Sequence, residues 1–289
     1  MIGPIRSLLF VPGIRNDRFA KAMSAGADAV AFDLEDSVEA TQKEKARTLI
    51  AELLAQPASS EALRLVRFNA VETDAGQADL EFFRDVTGFD GILLPKVETP
   101  GMLEAVARIF GPRALTGGVP PLLPLLESPK AILRASEIAA ADAFVAALLF
   151  GAEDLTAQLG VARTVDGDEL VVPRAQVALA AAAVGAEAID AVFVNLEDLT
   201  TLRRDCERAR AVGFRGKMAI HPKQVPVINE VFTPSPDDVD RARRVVDAYE
   251  KARAAGVGVT RMDNQMVELP VVERARRTLA LAARYSGRP

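Results

Sequence analysis

Residues 29–40 read AVAFDLEDSVEA, a run of strand-forming apolar residues that passes directly into three carboxylates, Asp33, Glu35 and Asp36. A loop that only reverses the chain needs one Asp or Gly. The surplus negative charge here asks for a purpose, and the chain around it supplies the setting. Seven other short apolar runs end in the same way, in small or polar residues: 6–13, 63–69, 91–98, 121–128, 143–154, 188–195 and 217–222. Between them lie segments such as QKEKARTLIAELLAQ (42–56), GMLEAVARIF (101–110) and KAILRASEIAAAD (130–142), with apolar residues at helical spacing. Eight βα units of regular spacing, with no dinucleotide fingerprint after the first strand, predict a (β/α)8 TIM barrel, and a doubly wound sheet remains the alternative.

The barrel is expected over 1–232, and 233–289 reads as a C-terminal helical extension that could cover the barrel mouth. Pro234-Ser235-Pro236 is a helix-starting signal, and 256–270 reads as an irregular, mobile piece.

The chain has 289 residues, 49% of them hydrophobic, and a net charge of -5, which argues against a nucleic-acid partner. No run approaches the ~18 apolar residues of a membrane span, and the N-terminal apolar run is too short for a signal peptide, so a cytoplasmic enzyme is expected. The single cysteine, Cys206, excludes an internal disulfide and reads as a buried helix residue. One histidine and one cysteine leave almost nothing from which to build a zinc site.

In a barrel of parallel strands, functional side chains gather at the strands' carboxyl ends. Those ends hold Asp33, Glu35 and Asp36, then Arg67 and Asn69, Lys96 and Glu98, Glu127, Glu153 and Asp154, Asn195 and His221. So many carboxylates at one mouth need cations, protons or a metal, and an all-oxygen donor set suits Mg²⁺. Lys96 in its apolar context raises the different possibility of a Schiff-base lysine, whereas His221 reads as a packed, hydrogen-bonded residue.

Taken in order, RSLLFVPGIRNDRFAKA (6–22), FDLEDSV (32–38), VRFN (66–69), LPKVE (94–98), LLES (125–128), FGAEDL (150–155) and GFRGKMAIHPKQVPVINEVFTPS (213–235) resemble the blocks of the citrate lyase beta-subunit-like family of CoA ester lyases, in the HpcH/HpaI aldolase superfamily. The resemblance implies a homotrimeric or hexameric TIM barrel that cleaves 3-hydroxyacyl-CoA thioesters with Mg²⁺. It further implies Glu127 and Asp154 as metal ligands, with Arg67 on the substrate carboxylate or enolate oxygen. Glu35 and Asp36 would hold Arg67 or metal-bound water, Arg15 and Lys21 would reach the CoA phosphates, and Phe10 would lie beside the cofactor. The family's MIDMP or MVDAP block, whose aspartate does acid-base chemistry from a neighbouring subunit, reads MVELP here and puts Glu268 at that position. Two other activities fit the same residues: thioester hydrolysis, or service as a citrate lyase beta subunit acting on a carrier-protein thioester.

Overall fold

The computed structural model describes residues 2–111, 119–141 and 144–286. Eight parallel strands close into a barrel in sequence order: β1 (Ser7–Pro12), β2 (Ala29–Asp33), β3 (Leu63–Arg67), β4 (Gly91–Leu94), β5 (Leu122–Leu126), β6 (Ala147–Phe150), β7 (Glu187–Asp190) and β8 (Gly216–Ala219). β8 returns to β1 through Ser7 opposite Lys217 and Leu9 opposite Ala219. The TIM-barrel expectation therefore holds.

The intervening helices are α1 (Phe19–Met23), α2 (Lys43–Leu54), α3 (Asp74–Phe83), α4 (Pro100–Phe110), α5 (Pro129–Leu133), α6 (Ala135–Ala139), α7 (Ala152–Leu159), α8 (Val171–Val184) and α9 (Leu199–Val212). The helical segment expected over 130–142 is in fact two short helices, broken at Arg134. Ser128 caps the first of them, accepting a hydrogen bond from the Ala131 N–H.

Side chains alternate across each strand, so one buried set fills the barrel. Leu8, Ala29, Ala31, Leu65, Leu93, Leu123, Leu125, Leu149, Ile189 and Met218 form this interior cluster. Their neighbours in sequence take the opposite parity and face the helices.

By its contacts the chain divides into two compact units, Met1–Glu230 and Val231–Pro289. Helix α10 (Val225–Phe232) runs across the division. The second unit holds α11 (Pro236–Ala254), α12 (Leu269–Tyr285) and, between them, the strands β9 (Thr260–Met262) and β10 (Gln265–Val267). Ser235 and Asp238 form a reciprocal capping box at the start of α11, which is the start that the Pro-Ser-Pro signal predicts. Val245, Tyr249, Val267, Val272 and Ala275 are its small core.

The piece expected to be irregular over 256–270 contains an antiparallel hairpin. Its two turn residues, Asp263 and Asn264, both have positive φ (49° and 61°). That is the backbone of the mirror-image turns that hairpins prefer, and Asp and Asn tolerate it. Among the described residues no helix is long and apolar enough to cross a membrane.

Candidate active site

Four of the predicted residues reach the mouth by strand parity alone. Phe10, Asp33, Arg67 and Glu127 continue the inward alternation of Leu8, Ala31, Leu65 and Leu125, each at or just past the carboxyl end of its strand. Asp33 closes β2: its Oδ1 accepts the Glu35 N–H at 2.8 Å and its Oδ2 the Ser37 N–H at 3.2 Å. This turn ends the strand and swings Glu35 toward the same mouth.

Arg67 is the hub. Its Nε and Nη2 donate to both oxygens of Asp33 at 2.6 and 2.7 Å, its Nη1 lies 3.0 Å from Glu35 and 3.5 Å from Asp36, and its guanidinium stands 4.8 Å from the Phe10 ring centre. Burial opposes the charge of Arg67, but Asp33, Glu35 and Asp36 outweigh it and raise its pKa. For Asp33 burial is likewise outweighed, by the hydrogen bonds and charge of Arg67, and its carboxyl titrates below the usual range.

Glu35 and Glu127 behave in the opposite way. Burial, joined by repulsion from Asp36, raises the Glu35 pKa even though Lys96 Nζ lies 2.9 Å away. Neither Glu35 oxygen is met by a donor in hydrogen-bonding geometry. Glu127 accepts one hydrogen bond, from the Lys96 backbone N–H at 2.7 Å. Burial, then repulsion from Glu35 and Asp154, pushes it up to about 8.

Other predicted residues lie elsewhere. Asn69 is buried, bonding Asp79 through its side-chain amide and accepting from Lys43, whose ammonium also ties the Leu34 and Glu35 carbonyls. Asp79 is fixed by Arg47. Lys43, Arg47 and Asp79 are supports that the sequence did not disclose, because they sit on helices rather than at strand ends. Glu98 is taken up by Ser128 and Lys130, and Glu153 by Arg163. Glu153 and Asp154 belong to the first turn of α7, not to a strand, because Gly151 already serves as that helix's N-cap. Asn195 is exposed and accepts from the Glu197 N–H. His221 accepts at Nδ1 from the Lys223 N–H, a capping role. Cys206 is buried in α9, and desolvation pushes its thiol up to about 12, so it has no reactive character.

Arg15 pairs with Asp17 on the surface, and Lys21 is exposed on α1. Glu268, in the second unit, is the exposed N-cap residue of α12 and makes no side-chain capping bond.

Among the described residues no three His, Cys, Asp or Glu side chains form a ready-made metal cluster. The mouth instead offers oxygen donors, from Glu127 and Asp154; Glu127 is buried, and the charge of Arg67 only partly offsets its burial and its repulsion from Glu35 and Asp154. Mg²⁺ typically takes one or two protein carboxylates and fills its octahedron with water and substrate oxygens. The residues present fit that ion.

The arginine-centred acidic cluster lies at the carboxyl mouth of a parallel eight-stranded barrel, the end at which enzymes of this fold carry their active sites. The chain belongs to the HpcH/HpaI aldolase/citrate lyase family, whose model matches residues 6–222. It is 37% identical over 281 residues to a (3S)-malyl-CoA thioesterase of Cereibacter sphaeroides, covering 96% of this chain and 95% of that one. It is 34% identical over 281 residues to the citrate lyase subunit beta of Escherichia coli K12, covering 96% and 93%. The crystal structure of CitE from Mycobacterium tuberculosis in complex with magnesium, acetoacetate and coenzyme A is similar with a TM-score of 0.80 and 36% identity, covering 97% of this chain and 98% of that one.

Proposed function

We propose that this chain is a Mg²⁺-dependent CoA ester lyase that cleaves small 3-hydroxyacyl-CoA thioesters, of the malyl-CoA, citramalyl-CoA or citryl-CoA type, into an acyl-CoA and a keto acid. The observation that carries the proposal is the placement of Glu127: a buried carboxylate at the end of β5 that accepts one hydrogen bond, from the Lys96 N–H at 2.7 Å, with Asp154 in the first turn of the helix that follows β6. Glu127 and Asp154 would hold the ion. Bound there, Mg²⁺ would supply Lewis-acid polarisation of substrate oxygens, worth several kcal/mol.

In the cleavage the 3-hydroxyl proton would pass to Glu268, which would later return it to C2, and the C2–C3 bond breaks. Its electron pair passes to C2 as the thioester enolate, while the former hydroxyl carbon becomes the keto group. Arg67, held in one plane by Asp33, presents its guanidinium to the enolate oxygen or to the substrate carboxylate. Glu35 and Asp36 keep that guanidinium in place from its other edge. Phe10 would flank the acyl end of the cofactor, Arg15 and Lys21 would meet its phosphates, and Glu268 would deliver the proton to C2 from a neighbouring subunit of a homotrimer or hexamer. The enzyme would work in the cytoplasm.

The 37% identity to a malyl-CoA thioesterase favours a second reading, hydrolysis of the thioester by water with Glu268 as base. The 34% identity to a citrate lyase beta subunit favours a third, in which the thioester is carried by an acyl-carrier protein. Incubating the purified protein with the three CoA esters, with and without Mg²⁺, separates them. Acetyl-CoA plus a trapped keto acid, formed only with metal, supports the lyase. Free CoA with an intact hydroxy acid supports the hydrolase, and turnover only of a carrier-bound ester supports the third.

A further inference from the structure

We propose that Lys96 is a positioning residue whose left-handed backbone aims the Glu127 carboxylate. Lys96 lies two residues past the end of β4, where continued alternation would give it the outward parity of Ile92 and Leu94. It has φ 54° instead, one of three non-glycine residues with positive φ among those described. A residue with a Cβ pays about 1–2 kcal/mol for this conformation, and such conformations persist where surroundings impose them. An ordinary turn would use Gly or Asn here.

The conformation brings two groups inward at once. The Lys96 N–H meets Glu127 Oε1 at 2.7 Å, and its Nζ stands 2.9 Å from Glu35 Oε1. On its other side Glu127 is pressed against Gly151, where an added Cβ would lie 2.4 Å from Glu127 Cβ and 2.8 Å from Oε2. The carboxylate is thus clamped between the ends of β4 and β6. Oε1 is committed to the Lys96 N–H, and Oε2 is turned toward Gly151, which opens the helix that carries Asp154.

This inference rests on the reading of Glu127 and Asp154 as cation ligands, and its test keeps the two separable. The probe is Mn²⁺ alone, an oxygen-preferring paramagnetic ion whose free signal vanishes on binding, so affinity is read without turnover. Lys96→Asn and Lys96→Ile both remove the ammonium, but Asn tolerates a left-handed backbone and a β-branched Ile does not. The expected result is Mn²⁺ affinity about tenfold weaker in the Ile variant than in the Asn variant, one left-handed penalty. Lys96→Ala, which is milder, should fall between them and carries the comparison if circular dichroism shows the Ile variant unfolded. Equal affinities across the folded variants would overturn the proposal. If the wild type binds no Mn²⁺, or Glu127→Gln binds it as tightly, the metal reading fails and takes this inference with it.

Discussion

Two charge clusters sit within a few residues of the same barrel, one inside its mouth and one outside its wall, and they are built on opposite principles. On the outer face, where Asp190 of β7 lies opposite Lys217 of β8, Arg174 from α8 and Asp205 from α9 complete a quartet. Arg174 donates to both Asp190 oxygens at 2.9 Å and to Asp205 at 2.7 Å, while Lys217 donates to Asp190 at 2.5 Å and Asp205 at 2.6 Å. Two cations meet two anions, and every carboxylate oxygen has a donor. Burial opposes the charges on Asp205 and Lys217, yet their partners hold the first below its usual range and the second above it.

At the mouth, Asp33, Glu35, Asp36, Glu127 and Asp154 are answered by Arg67 and Lys96. Only Asp33 is fully satisfied. The excess of carboxylates over cations, together with burial, surfaces as a raised pKa on Glu35 and Glu127. Charge in the outer quartet is neutralised within the fold, and charge at the mouth is not.

The largest effect expected from breaking this contrast comes from the matched cluster. Lys217→Met leaves two buried carboxylates facing one cation and should lower stability by about 3–5 kcal/mol in urea denaturation. Turnover per folded molecule should be unchanged.

Removing charge from the mouth should do the reverse. The folded pKa of Glu127, about 8, lies above its unfolded value near 4.5. Its contribution to stability is therefore complete below about pH 4.5 and is lost as pH rises toward 8. Relative to Glu127→Gln, the metal-free wild type should lose on the order of 3 kcal/mol between about pH 5.5 and 8. Melting curves across that range for both proteins check it.

Arg67→Lys keeps the charge but forfeits the two-point grip on Asp33 and the contact with Glu35. It should cut kcat/KM by roughly 100-fold, or about 2.7 kcal/mol. Asp36 is the mildest case, with its side chain 65% exposed and 3.5 Å from Arg67. Asp36→Asn should move stability by less than about 0.5 kcal/mol.

The barrel was legible because its strands are buried runs of regular spacing, and that pattern survives without knowledge of partners. Strand ends were less so. The run at 29–36 stops pairing at Asp33, where that side chain captures the N–H of Glu35 and Ser37. The run at 143–154 stops at Phe150, where Gly151 turns into a helix. Asp33 caps the end of its strand and also fixes Arg67 through the same two oxygens, a double use that its position in the sequence does not reveal. The outer quartet left no sequence signal, since its members come from four separate elements and meet only once the sheet closes. Nor did the backbone of Lys96, because lysine is not a residue whose presence announces a left-handed turn. The hairpin at 260–267 did leave one, Asp263-Asn264, that spacing alone does not reveal.

The mouth carries more carboxylate than Arg67 and Lys96 neutralise, which leaves room for a metal ion. The most direct test is the melting temperature of wild type and Glu127→Gln near pH 8, each with and without Mg²⁺. The metal-free variant should be at least as stable as metal-free wild type, and Mg²⁺ should raise the melting temperature of wild type alone. An equal rise in both proteins, or none in wild type, would contradict it.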